Sequence, residues 1–213
     1  MQTLPNTARK LAQDLFSDSS GRDAFLSALA CPQPYSPALV WLVDRPEPPP
    51  FRVAPPDAWQ PAFVDRLAAG QRPGQHALHE AGSFYCLDVS SVFAACVVCG
   101  TPHAPPLVLD VCASPGGKSV FAWRALRPER LICNEVIGKR TGALIANLQR
   151  CRIPQAAVVS LDVSRLADAA AGAASLVIVD APCSGQSLGA RGKPAPGCFH
   201  PATINMSANR QRR

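Results

Sequence analysis

Near the start of the chain, apolar positions recur at spacings of three and four, first Leu11, Leu15 and Phe16, then Phe25, Leu26 and Leu29. That period predicts helix over residues 7–30, interrupted at SDSSGRD, whose serines and aspartates are N-cap residue types. The pattern then disappears, because ten prolines fall between Pro32 and Pro61. Proline lacks the donor that a helix interior or a central strand requires. Residues 32–61 are therefore expected to be extended connection, with at most a short edge strand such as Ala38 to Val43. Phe63, Val64 and Leu67 predict one short helix, and HALHEAGSFYCLD over 76–88 predicts a hairpin about its Ala-Gly. Asp88 or Ser90 is placed to cap a helix through Ser91 to Cys99, which TPHAPP ends.

From Leu107 the pattern changes. LVLDV, LICNE, AVVSL and SLVIVD are short β-rich runs ending near residues 111, 135, 161 and 180. KSVFAWRAL, KRTGALIANLQR and an alanine-rich segment around LADAAAGAA lie between them. Such alternation predicts a parallel sheet with crossover helices, an α/β fold.

With 213 residues, 47% hydrophobic and 17% charged, the chain is long enough to bury a full core, and general disorder is excluded. No apolar run reaches the roughly 20 residues of a membrane helix, and MQTLPNTARKLAQDLF lacks the apolar core of a signal peptide. The expected location is the cytoplasm. The nine cysteines carry no framework spacing and read as reduced thiols there. A net charge of +6 suits a polyanionic partner.

Candidate chemistry begins at the first strand-to-helix turn, Cys112-Ala113-Ser114-Pro115-Gly116-Gly117-Lys118-Ser119. Its glycines let a ligand approach the backbone. A P-loop is one reading, since Gly117, Lys118 and Ser119 fit and LVIVD resembles a Walker B strand. It requires glycine where Cys112 stands, and Pro115 removes an amide donor. The other reading is a dinucleotide-like or S-adenosylmethionine site, with an acidic residue at the end of the second strand for the ribose hydroxyls. Glu135 stands there, 18 positions after Gly117; as a carboxylate it accepts from two hydroxyls and repels a ribose phosphate.

Together, VLDVCASPGGKS, NEVIGKRTGALIANLQRC, LDVSRL and VIVDAPCSG resemble, in order and spacing, the motifs of the Sun/Fmu (RsmB/NOP-type) RNA cytosine-5 methyltransferases. The resemblance covers about residues 71–213 and implies a class I methyltransferase (Rossmann-like) parallel sheet. It also implies S-adenosyl-L-methionine as cofactor and structured RNA, rRNA or tRNA, as substrate; no metal, membrane or obligatory protein partner is inferred. By position, it implies that Cys112, Ala113, Ser114, Pro115, Gly116, Gly117 and Lys118 enclose the methionine part, that Glu135 holds the ribose where the family more often has aspartate, and that Arg140 lies near the cofactor. Asp162 would lie by the adenine, its alternative being a simple helix cap, and Asp180 would face cofactor and target base.

Carbon 5 of cytosine is a poor nucleophile. A thiolate adds to carbon 6, carbon 5 then takes the methyl group, and elimination restores the ring. The resemblance implies that Cys183 in DAPCSG serves elimination, while the nucleophile belongs to a Thr-Cys motif after a fifth strand. No cysteine of this sequence follows a threonine. The expectation is a fragment with its nucleophile cysteine absent, a sheet incomplete at its C-terminal side, an exposed apolar edge on the fourth strand, and little or no turnover. A non-catalytic RNA-binding or interaction protein that keeps the cofactor pocket is the alternative of another class.

Three regions are expected. Residues 1–70 are helical and proline-rich, occupying the place of the family's N-terminal RNA-binding region in a small α+β portion. Residues 71–106 connect, and residues 107–213 form the S-adenosylmethionine-binding domain. Cys96-Val97-Val98-Cys99 has zinc spacing, with His76 and His79 as further ligands, but its apolar helical setting reads as ordinary core thiols. Arg124, Arg127, Arg130, Lys139, Arg140, Arg150 and Arg152 gather around the first two crossover helices, mostly as solvated faces with some placed for phosphates.

Overall fold

The computed structural model describes residues 4–31, 37–185 and 197–212; Pro32 to Ser36, where the proline-rich stretch begins, lie outside them. Backbone contacts divide the chain into Met1–Tyr35 with Ala181–Arg213, and Ser36–Asp180. This grouping departs from the boundaries expected at 70/71 and 106/107.

The first unit holds α1 (Asn6–Leu15) and α2 (Ser19–Ala30), as the apolar period predicts. Between them the Asp18 carboxylate accepts from Gly21 N at 2.7 Å, and Phe16 and Phe25 meet at 5.7 Å between centroids. The unit's last helix, which becomes α8 in chain order, spans Pro201–Gln211, with Pro201 in its first turn and His200 Nδ1 accepting from Ala202 N.

The larger unit contains two sheets. In the first, β1 (Pro37–Trp41) lies between β2 (Val64–Arg66) and β3 (Phe84–Asp88), antiparallel to both. The expected edge strand is thus a central one. Pro37 is tolerated because it takes the first position, and all five residues of the strand are buried. Ala38 and Val40 face the main core, while Leu39 and Trp41 join Leu67 and Phe84 on the opposite face. The short helix expected around Val64 is instead β2, recruited by pairing Val64 with Val40 and Asp65 with Leu39. The expected hairpin over 76–88 is half replaced. His76 Nδ1 accepts from Leu78 N and caps a single turn, α3 (Ala77–Glu80), and only the second run becomes a strand.

Asp88 caps α4 (Val89–Ala95) as expected, and a 3-10 turn over Cys96–Gly100 completes that segment. Cys96 is half-buried and Cys99 exposed, so the second of these thiols is not a core one.

The second sheet is parallel, with β4 (Leu107–Asp110), β5 (Arg130–Asn134), β6 (Ala156–Val159) and β7 (Leu176–Ile178) in the order β6-β5-β4-β7. The helices α5 (Gly117–Leu126), α6 (Gly138–Arg150) and α7 (Val163–Ala170) are its connections. The chain builds outward from β4 to β6 and then returns to the other side of β4. The strand order therefore reverses between β4 and β7, and ligands of open α/β sheets bind outside the carboxyl ends of the strands at such a point. Among the described residues no strand pairs with the outer side of β7, where Val177 and Val179 are exposed, the open apolar edge that was expected.

Helix α5 joins the two sheets and is buried at Ser119, Val120, Phe121, Ala122, Trp123 and Leu126. Phe121 meets Phe63 at 5.4 Å between centroids, and Arg124 Nε donates to the carbonyl of Trp41 at 2.7 Å. This contact gives a fixed use to a residue of the expected solvated basic face. Arg127 stacks over Trp123 at 3.8 Å, and Arg150 donates to the carbonyls of His79 and Phe84. Arg124 and Arg150 thus tie separate elements together, while Arg127 covers a ring of its own helix.

Candidate functional site

The strands of the parallel sheet end, and α5, α6 and α7 begin, at its carboxyl edge. After β4 the chain turns through residues 112–116 into α5. Gly116 makes this turn at φ +109, a region that L side chains rarely adopt. Gly117 plays a different part, because a Cβ there would lie 2.5 Å from Leu87 Cδ2 and 3.3 Å from Tyr85. Its missing side chain lets α5 pack closely on β3 against the movable end of half-buried Leu87, a packing use beside the ligand access expected of both glycines.

The loop is fastened to α6. Ser114 Oγ donates to the carbonyl of Arg140 at 2.9 Å, and Arg140 Nη2 returns a bond to the carbonyl of Ser114 at 2.7 Å. Asn147 Nδ2 holds the carbonyl of Pro115 at 2.9 Å. Glu135, buried just past β5, accepts from Ile137 N through Oε1 at 2.8 Å and pairs through Oε2 with Arg140 Nη1 at 3.3 Å. One guanidinium thus serves both the loop and the carboxylate. At the reversal point, Lys118 Nζ lies 2.5 Å from Asp180 Oδ2, in a pair open enough for water to reach it. The Cys112 thiol is pushed up, chiefly by burial and then by the charges of Asp110, Glu135 and Asp180, with Arg140 opposing. These groups share one electrostatic neighbourhood.

Asp162 is the N-cap of α7, its Oδ1 accepting from Ser164 N at 3.0 Å and from Ser164 Oγ at 2.7 Å. Cys183 is an exposed thiol in the irregular stretch after Asp180.

Two polar residues of the edge were not singled out by sequence reasoning. Asp110 is fully buried and takes a 2.6 Å bond from Ser119 Oγ, while among the described residues its Oδ1 has no hydrogen-bond partner. Burial pushes its pKa up to about 6, against the Ser119 and Cys112 bonds that favour the charged form. Asn134 is fully buried at the end of β5. Both stand inside the motifs that carry the family resemblance, Asp110 in VLDVCASPGGKS and Asn134 at the head of NEVIGKRTGALIANLQRC, but neither was given a role of its own there.

The family described as 16S rRNA methyltransferase RsmB/F matches residues 98–213, more than half of the chain. The chain belongs to the RsmB/F methyltransferase family. Among curated relatives, ribosomal RNA small subunit methyltransferase F of Serratia proteamaculans (strain 568) is 29% identical over 151 residues, covering 70% of this chain and 32% of the relative. The chain spans 24% to 32% of the length of the curated relatives it matches. Two solved structures share its fold. One, PH0851, has a TM-score of 0.79 and 17% identity over 98% of this chain and 48% of that one. The other, NSun6 from Pyrococcus horikoshii with SFG, has a TM-score of 0.69 and 16% identity over 98% and 77%.

Membership in the RsmB/F family and the class I methyltransferase fold overturn the P-loop reading, and the loop itself agrees, since Pro115 has no amide to offer a phosphate. S-adenosylmethionine is the cofactor of this fold, and the residues present fit it. Glu135 is a buried acceptor just past the end of β5, the carbonyls of Ser114 and Pro115 in the loop are bonded by Arg140 and Asn147, and the Lys118–Asp180 pair stands at the strand-order reversal. Among the described residues, no group of three or more His, Cys, Asp or Glu is placed to hold a metal, and no helix is long and apolar enough to cross a membrane.

Proposed function

We propose that this carboxyl edge binds S-adenosyl-L-methionine and serves methyl transfer to carbon 5 of a cytosine in rRNA or tRNA. The observation that carries the reading is the convergence of the 112–118 loop, the Glu135–Arg140 pair and the Lys118–Asp180 pair where the strand order reverses, in a chain of the RsmB/F family.

The bound cofactor supplies an electrophilic methyl group on a sulfonium. Cys112 to Lys118 enclose its methionine end with backbone held by Arg140 and Asn147. Glu135 accepts from the ribose hydroxyls through the oxygen that otherwise faces Arg140, and Asp162 lies on the adenine side. Lys118 fixes the Asp180 carboxylate, which faces the sulfonium and hydrogen-bonds the edge of a base presented out of its stack. Cys183 contributes the thiol of the elimination half. The attacking thiol belongs to a Thr-Cys pair that the 213 residues do not contain, so these residues hold the cofactor half of the reaction and turn over little or not at all alone. Residues 1–70 help to hold the RNA.

Calorimetric titration of the 213-residue chain with S-adenosylmethionine tests the site, run beside a Glu135→Ala/Asp162→Ala double variant and an ATP-magnesium control. Saturable binding that disappears in the variant is the expected result. Binding of ATP-magnesium alone, or no binding by a folded chain, refutes it.

A further inference from the structure

Asn134 spends its buried side chain on the backbones of two neighbouring strands. Its Nδ2 donates to the carbonyl of Val111 at 3.1 Å and to that of Leu161 at 3.1 Å, and its Oδ1 accepts from Leu161 N at 2.9 Å. Its own carbonyl accepts from Ala113 N at 2.9 Å. Two carbonyls on one side of the amide and an N–H on the other determine which way it points.

The bonds lie where the sheet ends. The last paired residues are Asp110 with Cys133 and Asn134 with Val159, so Val111 and Leu161 are both past the regular ladder. Val111 leads directly into the 112–118 loop, Glu135 follows Asn134 in sequence, and Leu161 precedes Asp162. One side-chain amide therefore ties together the roots of three segments. Alanine reaches none of these partners, and a carboxylate has no donor for the two carbonyls.

We infer that Asn134 is a positioning residue for the cofactor site: its amide sets the spacing between the loop that meets the methionine end and the Glu135 and Asp162 segments that meet the adenosine end. The inference rests on the reading of this edge as an S-adenosylmethionine site. A residue with this role matters most to a ligand that touches both sides at once. A ligand that touches the adenosine side alone tolerates an altered spacing.

The test is calorimetric titration of the full chain, its Asn134→Asp variant and the milder Asn134→Ser variant. The ligands are S-adenosylmethionine and 5′-methylthioadenosine, which lacks the amino-acid end, and cooperative unfolding of each protein is checked first. Losing two or three buried bonds is expected to weaken S-adenosylmethionine about 10- to 100-fold and 5′-methylthioadenosine by about threefold or less. Acidification that protonates the introduced carboxylate of Asn134→Asp restores one donor and recovers part of the S-adenosylmethionine affinity.

The inference is overturned if folded variants bind S-adenosylmethionine within about threefold of the parent chain, or if both ligands weaken by the same factor, as a purely structural role requires. It is also overturned if neither variant unfolds cooperatively, since the amide then holds the sheet rather than the spacing. A parent chain that binds neither ligand refutes the site reading itself, which separates the two failures.

Discussion

Each sheet of the larger unit buries an aspartate, and the two are treated in opposite ways. Asp65, on β2 of the antiparallel sheet, has a partner for each oxygen: Trp41 Nε1 donates to Oδ2 at 2.7 Å and Arg45 Nη1 to Oδ1 at 2.9 Å. Asp110, at the end of β4 in the parallel sheet, is buried more completely, yet its Oδ1 has no hydrogen-bond partner among the described residues and its pKa is pushed up to about 6. A fully paired buried carboxylate belongs to the architecture. One left partly unpaired, beside the loop that begins the candidate site, marks a place where the fold carries a cost that its stability does not require.

Removing the paired carboxylate should have the largest effect. Asp65→Ala strands the indole N–H of buried Trp41 and takes one partner from Arg45, which keeps its two bonds to Glu47, and is expected to cost about 3 kcal/mol in urea unfolding. A loss below about 1 kcal/mol would mean that the two aspartates do not differ as described.

The unpaired carboxylate should respond in the other direction. An acid whose folded pKa of about 6 lies above its unfolded value near 3.8 holds its proton more tightly when folded. Its contribution therefore favours the native state at low pH and is lost as pH rises from about 4 to about 6. Asp110→Asn removes that loss. It is expected to gain about 2 to 3 kcal/mol over the parent chain at pH 8 and almost nothing at pH 4. Unfolding curves at the two pH values decide this, and a difference that does not change with pH contradicts it.

The joint between the sheets comes next. Gly117→Ala places a Cβ 2.5 Å from Leu87 Cδ2 and 3.3 Å from Tyr85, and the end of the leucine must give way, at a net cost of about 1 kcal/mol in thermal or urea unfolding. The smallest effect on stability is expected from Lys118→Met. Its pair with Asp180 is open to water, so unfolding should change by less than about 1 kcal/mol. S-adenosylmethionine affinity should nevertheless fall about tenfold, if the pair orders Asp180 as proposed. Equal affinity in the variant would remove Lys118 from the site.

The two sheets also differ in how far they were legible. Each of the first three strands of the parallel sheet is followed by its own helix, so local runs such as LVLDV and KSVFAWRAL already mark the alternation. The antiparallel sheet is assembled from distant segments, with Leu39 opposite Asp65 on one side and Cys86 on the other. Nothing local distinguishes Phe63, Val64 and Leu67 as a helix turn from the same residues as a strand, and proline density conceals that Pro37 occupies the one tolerated end of β1. The loop at 112–118, Glu135 and Asp180 were legible because their residue types occur at the ends of recognisable strands. Asn134 and Asp110 were not, because sequence does not reveal whether a polar residue in a strand is solvated or buried with partners. Arg124, Arg127 and Arg150 likewise read as surface charge until their carbonyl and ring contacts are known.

By itself, then, the sequence determined the alternation of strands and helices after Leu107, the strand-to-helix turn at Cys112 to Lys118 and the acidic ends at Glu135 and Asp180, because these follow from local period and turn chemistry. Tertiary structure alone decided that β1 is central, that Gly117 has a packing use, that Arg140 serves loop and carboxylate together, and that Asn134 joins three strand ends. Those outcomes depend on which distant backbones come within about 3 Å of one another, a distance set by packing of the whole sheet rather than by neighbours in sequence.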